Sequence, residues 1–265
     1  MSGPKRQRSV PQRLSLSAFM PCYNEEGNVE QTTLALLDAC RKVSDDFEVI
    51  IVNDGSADRT GEIAERLTHE HPQVRAVHNR PNRGYGGALQ RGFAEARKEW
   101  VFYTDGDGQF DPQEITGLLP ALAKYDIVSA YRVDRKESGV RKLNAWAWTT
   151  LVNLLFGMNL RDIDCAFKLY PRRLFDQISP QSEGALIDAE VLAKAKLKGY
   201  RIGQVPVHHY PRQIGQQTGA NLRVIARAFC ELFRLYGDIR LGHGNKRGVA
   251  LKEATIGGNR PAARA

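Results

Sequence analysis

The stretch Glu48-Val49-Ile50-Ile51-Val52-Asn53-Asp54-Gly55-Ser56 reads as a buried strand that stops at a polar, acidic turn. An amphipathic segment, Asp58–His69, follows directly. The same pairing recurs along the chain. Leu14–Met20 precedes Asn28–Val43, Val74–His78 precedes Gly86–Arg97, and Trp100–Tyr103 precedes Pro112–Lys124, with a further apolar run at Ile127–Ala130. Pro112 behind Asp111 has the form of a first helical residue after an acidic N-cap. Strand-then-helix alternation predicts an α/β fold, a mostly parallel sheet flanked by helices and joined by right-handed crossovers.

Beyond Ala130 the pattern changes. A charged loop, Arg132–Lys142, leads into the apolar segment Leu143–Leu160 and a strand-like Asp162–Tyr170. A helix is expected at Ala185–Leu197, a strand at Arg201–Val207, and a C-terminal amphipathic helix at Asn221–Tyr236. No linker interrupts this run. The reading is a basic tail over 1–13, a single domain over 14–236 and a second basic tail over 237–265.

The chain has 265 residues and a formal net charge of +8, and the excess lies at its ends. Lys5, Arg6, Arg8 and Arg13 stand in the first tail with no acid. Arg240, Lys246, Arg247, Lys252, Arg260 and Arg264 outnumber Asp238 and Glu253 in the second. The body between is neutral, which weakens a nucleic-acid reading, since that wants a basic stripe on the folded surface, and no nucleic-acid partner is expected. Cys22, Cys40, Cys165 and Cys230 are widely spaced and read as reduced thiols of a cytoplasmic protein. No segment has the ~18 nearly all-apolar residues of a membrane span, and Leu14–Met20 is too short for a signal peptide.

In an open parallel sheet, ligands bind at the carboxyl ends of the strands. Four polar turns fall there: Pro21-Cys22-Tyr23-Asn24-Glu25-Glu26, Asn53-Asp54-Gly55-Ser56, Asn82-Arg83-Gly84-Tyr85-Gly86-Gly87 and Thr104-Asp105-Gly106-Asp107-Gly108-Gln109. The first strand lacks the G-x-G-x-x-G of a dinucleotide fold. The amides of Gly84–Gly87 could meet a phosphate at a helix start, or simply form a tight turn. Asp105 and Asp107, spaced by glycine, make a hard anionic pocket suited to Mg2+ or Mn2+ bound with a diphosphate. His208 and His209 read as strand-end packing residues.

Together these four turns resemble those of family 2 glycosyltransferases of the GT-A fold. Within that family they look most like the polyprenyl-phosphate (dolichyl-phosphate-type) mannosyl- and glucosyltransferases. Asp162-Ile163-Asp164-Cys165-Ala166-Phe167-Lys168, Ser182-Glu183-Gly184, and the segment from Val205 to Arg212 add to the likeness. The resemblance implies a Rossmann-like GT-A sheet and inverting transfer of a hexose, mannose or glucose, from a GDP- or UDP-sugar. It implies that Pro21, Tyr23, Glu25 and Asp54 line the base and ribose. Asp105 and Asp107 would meet metal and diphosphate with Gln109 as a further ligand, and Arg132 and Arg212 would meet phosphate. Glycine stands between the aspartates where relatives often carry alanine, a change expected to be indifferent for ligation. The chain shows no C-terminal apolar spans of the kind many such relatives have, so peripheral attachment at the cytosolic face of a membrane is expected.

A leaving diphosphate needs its growing charge stabilised, which a divalent ion does as Lewis acid and template. A polyprenyl phosphate acceptor is already largely dianionic at neutral pH and needs cations rather than a base. Arg132, Arg141, Lys168 and Arg212 are the candidates. A soluble hydroxyl acceptor would instead need a base, for which Asp164, Asp188 and Glu190 are available. The last two could equally be the solvated first turn of a helix. A third reading is a non-catalytic nucleotide-sugar-binding protein. Trp146, Trp148 and Phe156 in the apolar segment, and the apolar and arginine stripes of Asn221–Tyr236, fit a membrane interface as well as core packing. With a lipid acceptor the basic tails become electrostatic tethers, each charge worth up to about 1 kcal/mol near an anionic leaflet. Deleting Gly237–Ala265 is therefore expected to weaken binding to anionic liposomes at low salt, and unchanged binding would make the tails solvated arms.

Overall fold

A computed structural model of the chain describes residues 13–133, 139–212 and 222–240. The tail segments 1–12 and 241–265 lie outside them, as do any tethers those segments supply. Strands β1 (Leu14–Cys22), β2 (Ser44–Asn53), β3 (Val74–His78), β4 (Trp100–Thr104), β5 (Ile127–Val133), β6 (Phe167–Pro171) and β7 (Ile202–His208) form one sheet in the order β3-β2-β1-β4-β6-β5-β7. The pairings β1–β2, β2–β3, β1–β4 and β5–β7 are parallel, and β6 runs antiparallel to β4 and β5. The expected mostly parallel α/β sheet is therefore present, with one reversed strand in its interior.

Helices α1 (Val29–Val43), α2 (Thr60–Glu70) and α3 (Gly84–Glu95) fill the crossovers of the first half. Pro112–Ala123 is a 3₁₀ helix rather than an α-helix. Asp111 caps it, accepting from the Gln113 amide at 3.0 Å, and Pro120 inside it has no N–H to give to an α-helical ladder. Helix α4 (Gly139–Phe156) carries the apolar segment, the short α5 (Leu174–Gln177) follows β6, and α6 (Ile187–Leu197) precedes β7. The last helix, α7 (Leu222–Arg240), runs past the expected end at Tyr236. The strand expected over Asp162–Tyr170 is confined to Phe167–Pro171, because Asp162 leaves the sheet to bind Arg132.

The core lies on both faces of the sheet. Phe19, Tyr103 and Phe93 meet at ring separations of 5.1 to 5.9 Å beneath the carboxyl ends of β1 and β4. Cys22 pairs with Asn53 and Phe19 with Tyr103 across the ladders, so the turns leaving β1, β2 and β4 emerge side by side. Strand order reverses direction between β1 and β4, and a crevice opens there.

At the opposite edge Glu48 is buried. Its carboxylate accepts from Ser17 Oγ at 2.7 Å, Arg75 at 2.8 Å and the Arg97 amide at 2.9 Å. Burial opposes its charge, yet Ser17, Arg75 and the Arg97 amide together hold the carboxyl below its ordinary range. Its contribution is thus complete above that range and fades as pH falls through it. Glu48→Gln is expected to cost about 2 kcal/mol at neutral pH and to flatten the acid limb of the stability profile, read by urea denaturation from pH 3 to 7.

Candidate active site

A cleft of about 550 Å3 opens at the switch point, lined among others by Pro21, Tyr23, Glu25, Asp54, Asp105, Asp107 and Arg212. Seven of the residues singled out in the sequence thus converge there, from turns that are far apart along the chain. The turns are knitted together by side chains. Asn24, in the left-handed region at φ 54°, donates its amide to Ser56 Oγ at 3.0 Å and accepts from the Ala57 amide at 2.9 Å. The Glu25 amide donates to Thr60 Oγ1 at 2.8 Å.

Asp54 is buried at the end of β2, where one carboxylate oxygen accepts from Asn79 Nδ2 at 2.8 Å and the Arg83 amide at 3.0 Å. Its backbone carbonyl accepts from Asn82 Nδ2 at 2.7 Å. Glu25 accepts from Asn28 Nδ2 at 2.8 Å and is paired with Arg212. Burial raises the Glu25 carboxyl in spite of those partners. Arg212 reaches across the cleft, its other nitrogen 3.5 Å from Asp107. One guanidinium therefore ties the β1, β4 and β7 turns.

Asp105 lies at the end of β4. Burial, then the charges of Asp107 and Asp188, push its carboxyl well above the usual carboxylate range. Two hard oxygen donors, Asp105 and Asp107, with such excess negative charge fit a divalent cation whose other ligands come from a diphosphate or water. Among the described residues no cluster of three or more His, Cys, Asp or Glu is placed to hold a metal alone. The residues at hand fit Mg2+ or Mn2+ shared with a substrate, not an all-protein cage.

Other expectations are corrected by the geometry. Lys168 is fully buried, its ammonium 2.6 Å from Asp188 and 2.9 Å from the Tyr103 hydroxyl, so it cannot meet an acceptor phosphate in this arrangement. Arg132 forks onto Asp162 through bonds of 2.7 and 2.9 Å and is not among the cleft-lining residues. Gln109 donates its side-chain amide to the Tyr210 carbonyl at 3.0 Å, and the Tyr210 amide donates back to the Gln109 carbonyl at 2.9 Å. Gln109 thus ties the acidic turn to the segment carrying Arg212. Asp188 and Glu190 are buried, not a solvated helix turn. Glu190 accepts from the amides of Gln181 and Ser182 and so pins the loop that packs on α3.

The glycines of α3 serve that packing. The Gly86 amide donates to the Glu183 carbonyl at 2.8 Å, and a Cβ there would stand 2.3 Å from the Ser182 carbonyl oxygen. The Gly84 amide is taken by Asn82 Oδ1 at 2.9 Å. Those amides are committed within the protein, which favours the turn over the phosphate cradle. Sequence reasoning gave no role to Asn82, Tyr85, Cys22 or Ala88, all of which line the cleft. Asn82 and Tyr85 lie inside a turn already singled out, and its periodic glycines drew attention from its polar side chains.

A family model described as Glycosyl transferase family 2 matches residues 17–179. Glycosyltransferase AglD of Haloferax volcanii is 32% identical over 209 residues, 75% of this chain and 34% of that protein. Dolichyl-phosphate beta-glucosyltransferase of Saccharomyces cerevisiae is 29% identical over 227 residues, 74% of this chain and 67% of that one. The chain therefore spans about a third of the first relative and two thirds of the second. Glucosyl-3-phosphoglycerate synthase from Mycobacterium tuberculosis, solved with Mn2+, UDP and glucosyl-3-phosphoglycerate, shares the fold with a TM-score of 0.64 at 19% identity, over 85% of this chain and 79% of that one.

Gly106 matters for packing, a matter apart from the ligation to which it is expected to be indifferent. A Cβ at that position would lie 2.5 Å from Cys22 Sγ and 2.9 Å from the Pro21 carbonyl oxygen. Gly106→Ala is expected to cost about 1–3 kcal/mol by overpacking. Cys22→Ala made alongside should recover part of that loss, the backbone oxygen retaining the rest, as read by thermal and urea unfolding.

Proposed function

The chain belongs to glycosyl transferase family 2, and from that premise we propose that it moves a hexose, mannose or glucose, from a nucleotide sugar to a polyprenyl phosphate. The observation that carries this reading is the convergence of Glu25, Asp54, Asp105, Asp107 and Arg212 in one cleft at the switch point. Pro21, Tyr23, Glu25 and Asp54 would hold the GDP or UDP nucleoside, with Asp54 presenting its less-committed carboxylate oxygen to a base. Asp105 and Asp107 would hold Mg2+ or Mn2+, which when bound neutralises the leaving diphosphate. Arg212 is the cation placed to hold a phosphate oxygen, exchanging Glu25 and Asp107 for it. The dolichyl-phosphate specificity in the yeast relative's name supports the acceptor class.

Attachment to the cytosolic face of a membrane is part of the proposal. Leu143, Trp146 and Leu154 of α4 are exposed, Trp146 by 65% and Leu154 by 79%, as are Phe229 and Phe233 of α7. The two helices touch through Trp148 on Phe229 and Phe156 on Tyr236. Their outer apolar side chains fit an interfacial seat. Among the described residues no helix is long and apolar enough to cross a membrane.

One observation favours a second reading. Burial and the charges of Asp188 and Asp162 push the Asp164 carboxyl up to about 6, and the Trp148 indole donates to it at 3.3 Å. A carboxylate so poised could serve as base for a hydroxyl acceptor.

The two readings separate in an assay with nucleotide sugar, Mn2+ and either a short polyprenyl phosphate or soluble alcohols. Asp107→Ala is expected to lose about 100-fold in kcat/KM, and equal product from variant and wild type would remove the metal assignment. Asp164→Asn is expected to stay within a few-fold of wild type with the phosphate acceptor. A loss of about 100-fold with turnover on an alcohol would establish the base instead. Because Asp105 holds a proton above the usual carboxylate range, divalent ion binding must displace it. Apparent Mn2+ affinity should therefore rise with pH by up to about tenfold per unit and level off once Asp105 is ionised.

A further inference from the structure

The turn that carries Asp54 is closed by a line of side chains running in from α2 through the end of β3. Asn53 Oδ1 accepts from the Ser56 amide at 3.1 Å and so brackets Asp54 and Gly55. That bond assigns the oxygen, which leaves Asn53 Nδ2 as the atom 2.9 Å from His78 Nδ1. An amide nitrogen is a donor only, so His78 Nδ1 is the bare, accepting nitrogen of the ring. The ring hydrogen is then on Nε2, which donates to Glu65 Oε1 at 2.8 Å. At the other end of the line, Ser56 Oγ accepts from the Asn24 amide at 3.0 Å. Asn24 and Asp54 both line the cleft. Glu65, His78, Asn53, Ser56 and Asn24 are thus joined by hydrogen bonds whose direction is set from Ser56 outward. Asn53 is buried, and the His78 side chain is 23% exposed. Gly61, in the first turn of α2, leaves room for the pair, since a Cβ there would lie 2.8 Å from Asn53 Nδ2. Asn79, the next residue after His78, gives its side-chain amide to Asp54 Oδ1 at 2.8 Å. The end of β3 therefore grips two consecutive residues of the β2 turn.

We infer that His78, in its neutral form, is a positioning residue for the nucleoside end of the cleft and acts through Asn53, resting on the reading that Tyr23, Glu25 and Asp54 hold a nucleoside. Two groups are bonded to the ring: the charged Glu65 from α2 and the neutral Asn53 from β2. Glu65 favours a protonated ring and Asn53 opposes one. When His78 takes a second proton, Nδ1 becomes a donor facing the Asn53 donor. The amide relieves that clash by turning over, which sets its nitrogen against the Ser56 amide and breaks the bond that closes the Asp54 turn. Protonation of a half-exposed ring outside the cleft is thereby felt at a residue inside it.

The test is binding of UDP and GDP to the full chain in saturating Mn2+, followed by titration calorimetry. His78→Asn places a side-chain oxygen near the position of Nδ1, able to accept from Asn53 and unable to titrate. It is expected to bind within about threefold of wild type at pH 8. His78→Phe keeps a ring and removes the acceptor, and is expected to weaken binding about tenfold as the competent fraction of the turn falls. Ile115→Ala opens the core under the 3₁₀ helix and is expected to lower the melting temperature without changing nucleotide affinity. From pH 8 down to about 5.5, the range in which histidines commonly exchange protons, wild type should lose about tenfold more affinity than His78→Asn. Glu25, Asp105 and the ligand's own phosphate titrate in both proteins and drop out of that comparison. The nitrogen-15 resonances of His78 in metal-free wild type, assigned by their loss in His78→Asn, should show a protonated Nε2 and a bare Nδ1 at pH 8, a readout that needs only the native fold. A hydrogen on Nδ1 would overturn the inference, as would wild-type affinity in His78→Phe or the same pH dependence in wild type and His78→Asn. A loss in His78→Asn or Ile115→Ala as large as that in His78→Phe would also overturn it, by making the effect one of packing. Each of those outcomes leaves the nucleoside reading standing, whereas absence of binding of either nucleotide by wild type would remove both.

Discussion

Negative charge concentrated at one end of the sheet is the constraint on which the site depends. The charges of Asp107 and Asp188 disfavour ionisation of Asp105, and those of Asp188 and Asp162 disfavour ionisation of Asp164. Lys168 supplies a buried counter-charge from below, and Arg212 supplies one from the cleft. Neither suffices to let Asp105 ionise in its ordinary range. Such a cluster is costly in a folded protein unless a cation completes it. That cost is what the proposed divalent ion, arriving with a diphosphate, would offset.

The frame around that cluster is held by short polar links rather than by any one element. Asn24 bridges the β1 and β2 turns, Asn79 and Asn82 bridge β2 to the start of α3, and Gln109 bridges β4 to the segment after β7. These side chains take up polar groups that the turns leave open and fix the turns' mutual positions beyond the ends of the sheet ladders. The aromatic group Phe19–Phe93–Tyr103 beneath them gives the turns a rigid floor.

Much of this was legible in the sequence, for physical reasons that also mark the limits. Apolar runs ending in Asp54 and Asp105 identify strand ends because parallel strands buried on both faces read as continuous hydrophobic segments. Residues at those ends, including Pro21, Tyr23, Glu25 and Asp107, therefore fell correctly into the cleft. Lys168 and Arg132 did not, since a basic side chain in a sequence carries no sign of the carboxylate it will meet. Asp188 and Asp162 lie far from each other and from their partners until the sheet forms. The packing role of Gly106 was invisible for a similar reason: the pressure on it comes from Cys22 and the Pro21 carbonyl, contacts made only once β1 pairs with β4. Pro120 went unread within the segment expected to be a helix, and with no N–H to give it sits in a 3₁₀ helix rather than an α-helix.

The reversed strand β6 has a consequence for how the chain reaches this site. Strands β1, β2, β3, β4 and β7 deliver residues to the cleft from their carboxyl ends. β6 does the opposite: Thr104 pairs with Phe167 and Trp100 with Pro171, so β6 begins at the cleft and leaves toward the far rim. The segment before it, Asp162 to Cys165, thus lies at the same rim of the sheet as the cleft, while the residues from Arg172 through α5 sit at the opposite rim. A change in the connection from Arg172 through α5 therefore falls at the rim away from the cleft, whereas a change a few residues before β6 falls at the cleft's own rim. The fold therefore places, within one short stretch of chain, a cleft-side connection and a far-rim connection, separated by the length of a single strand.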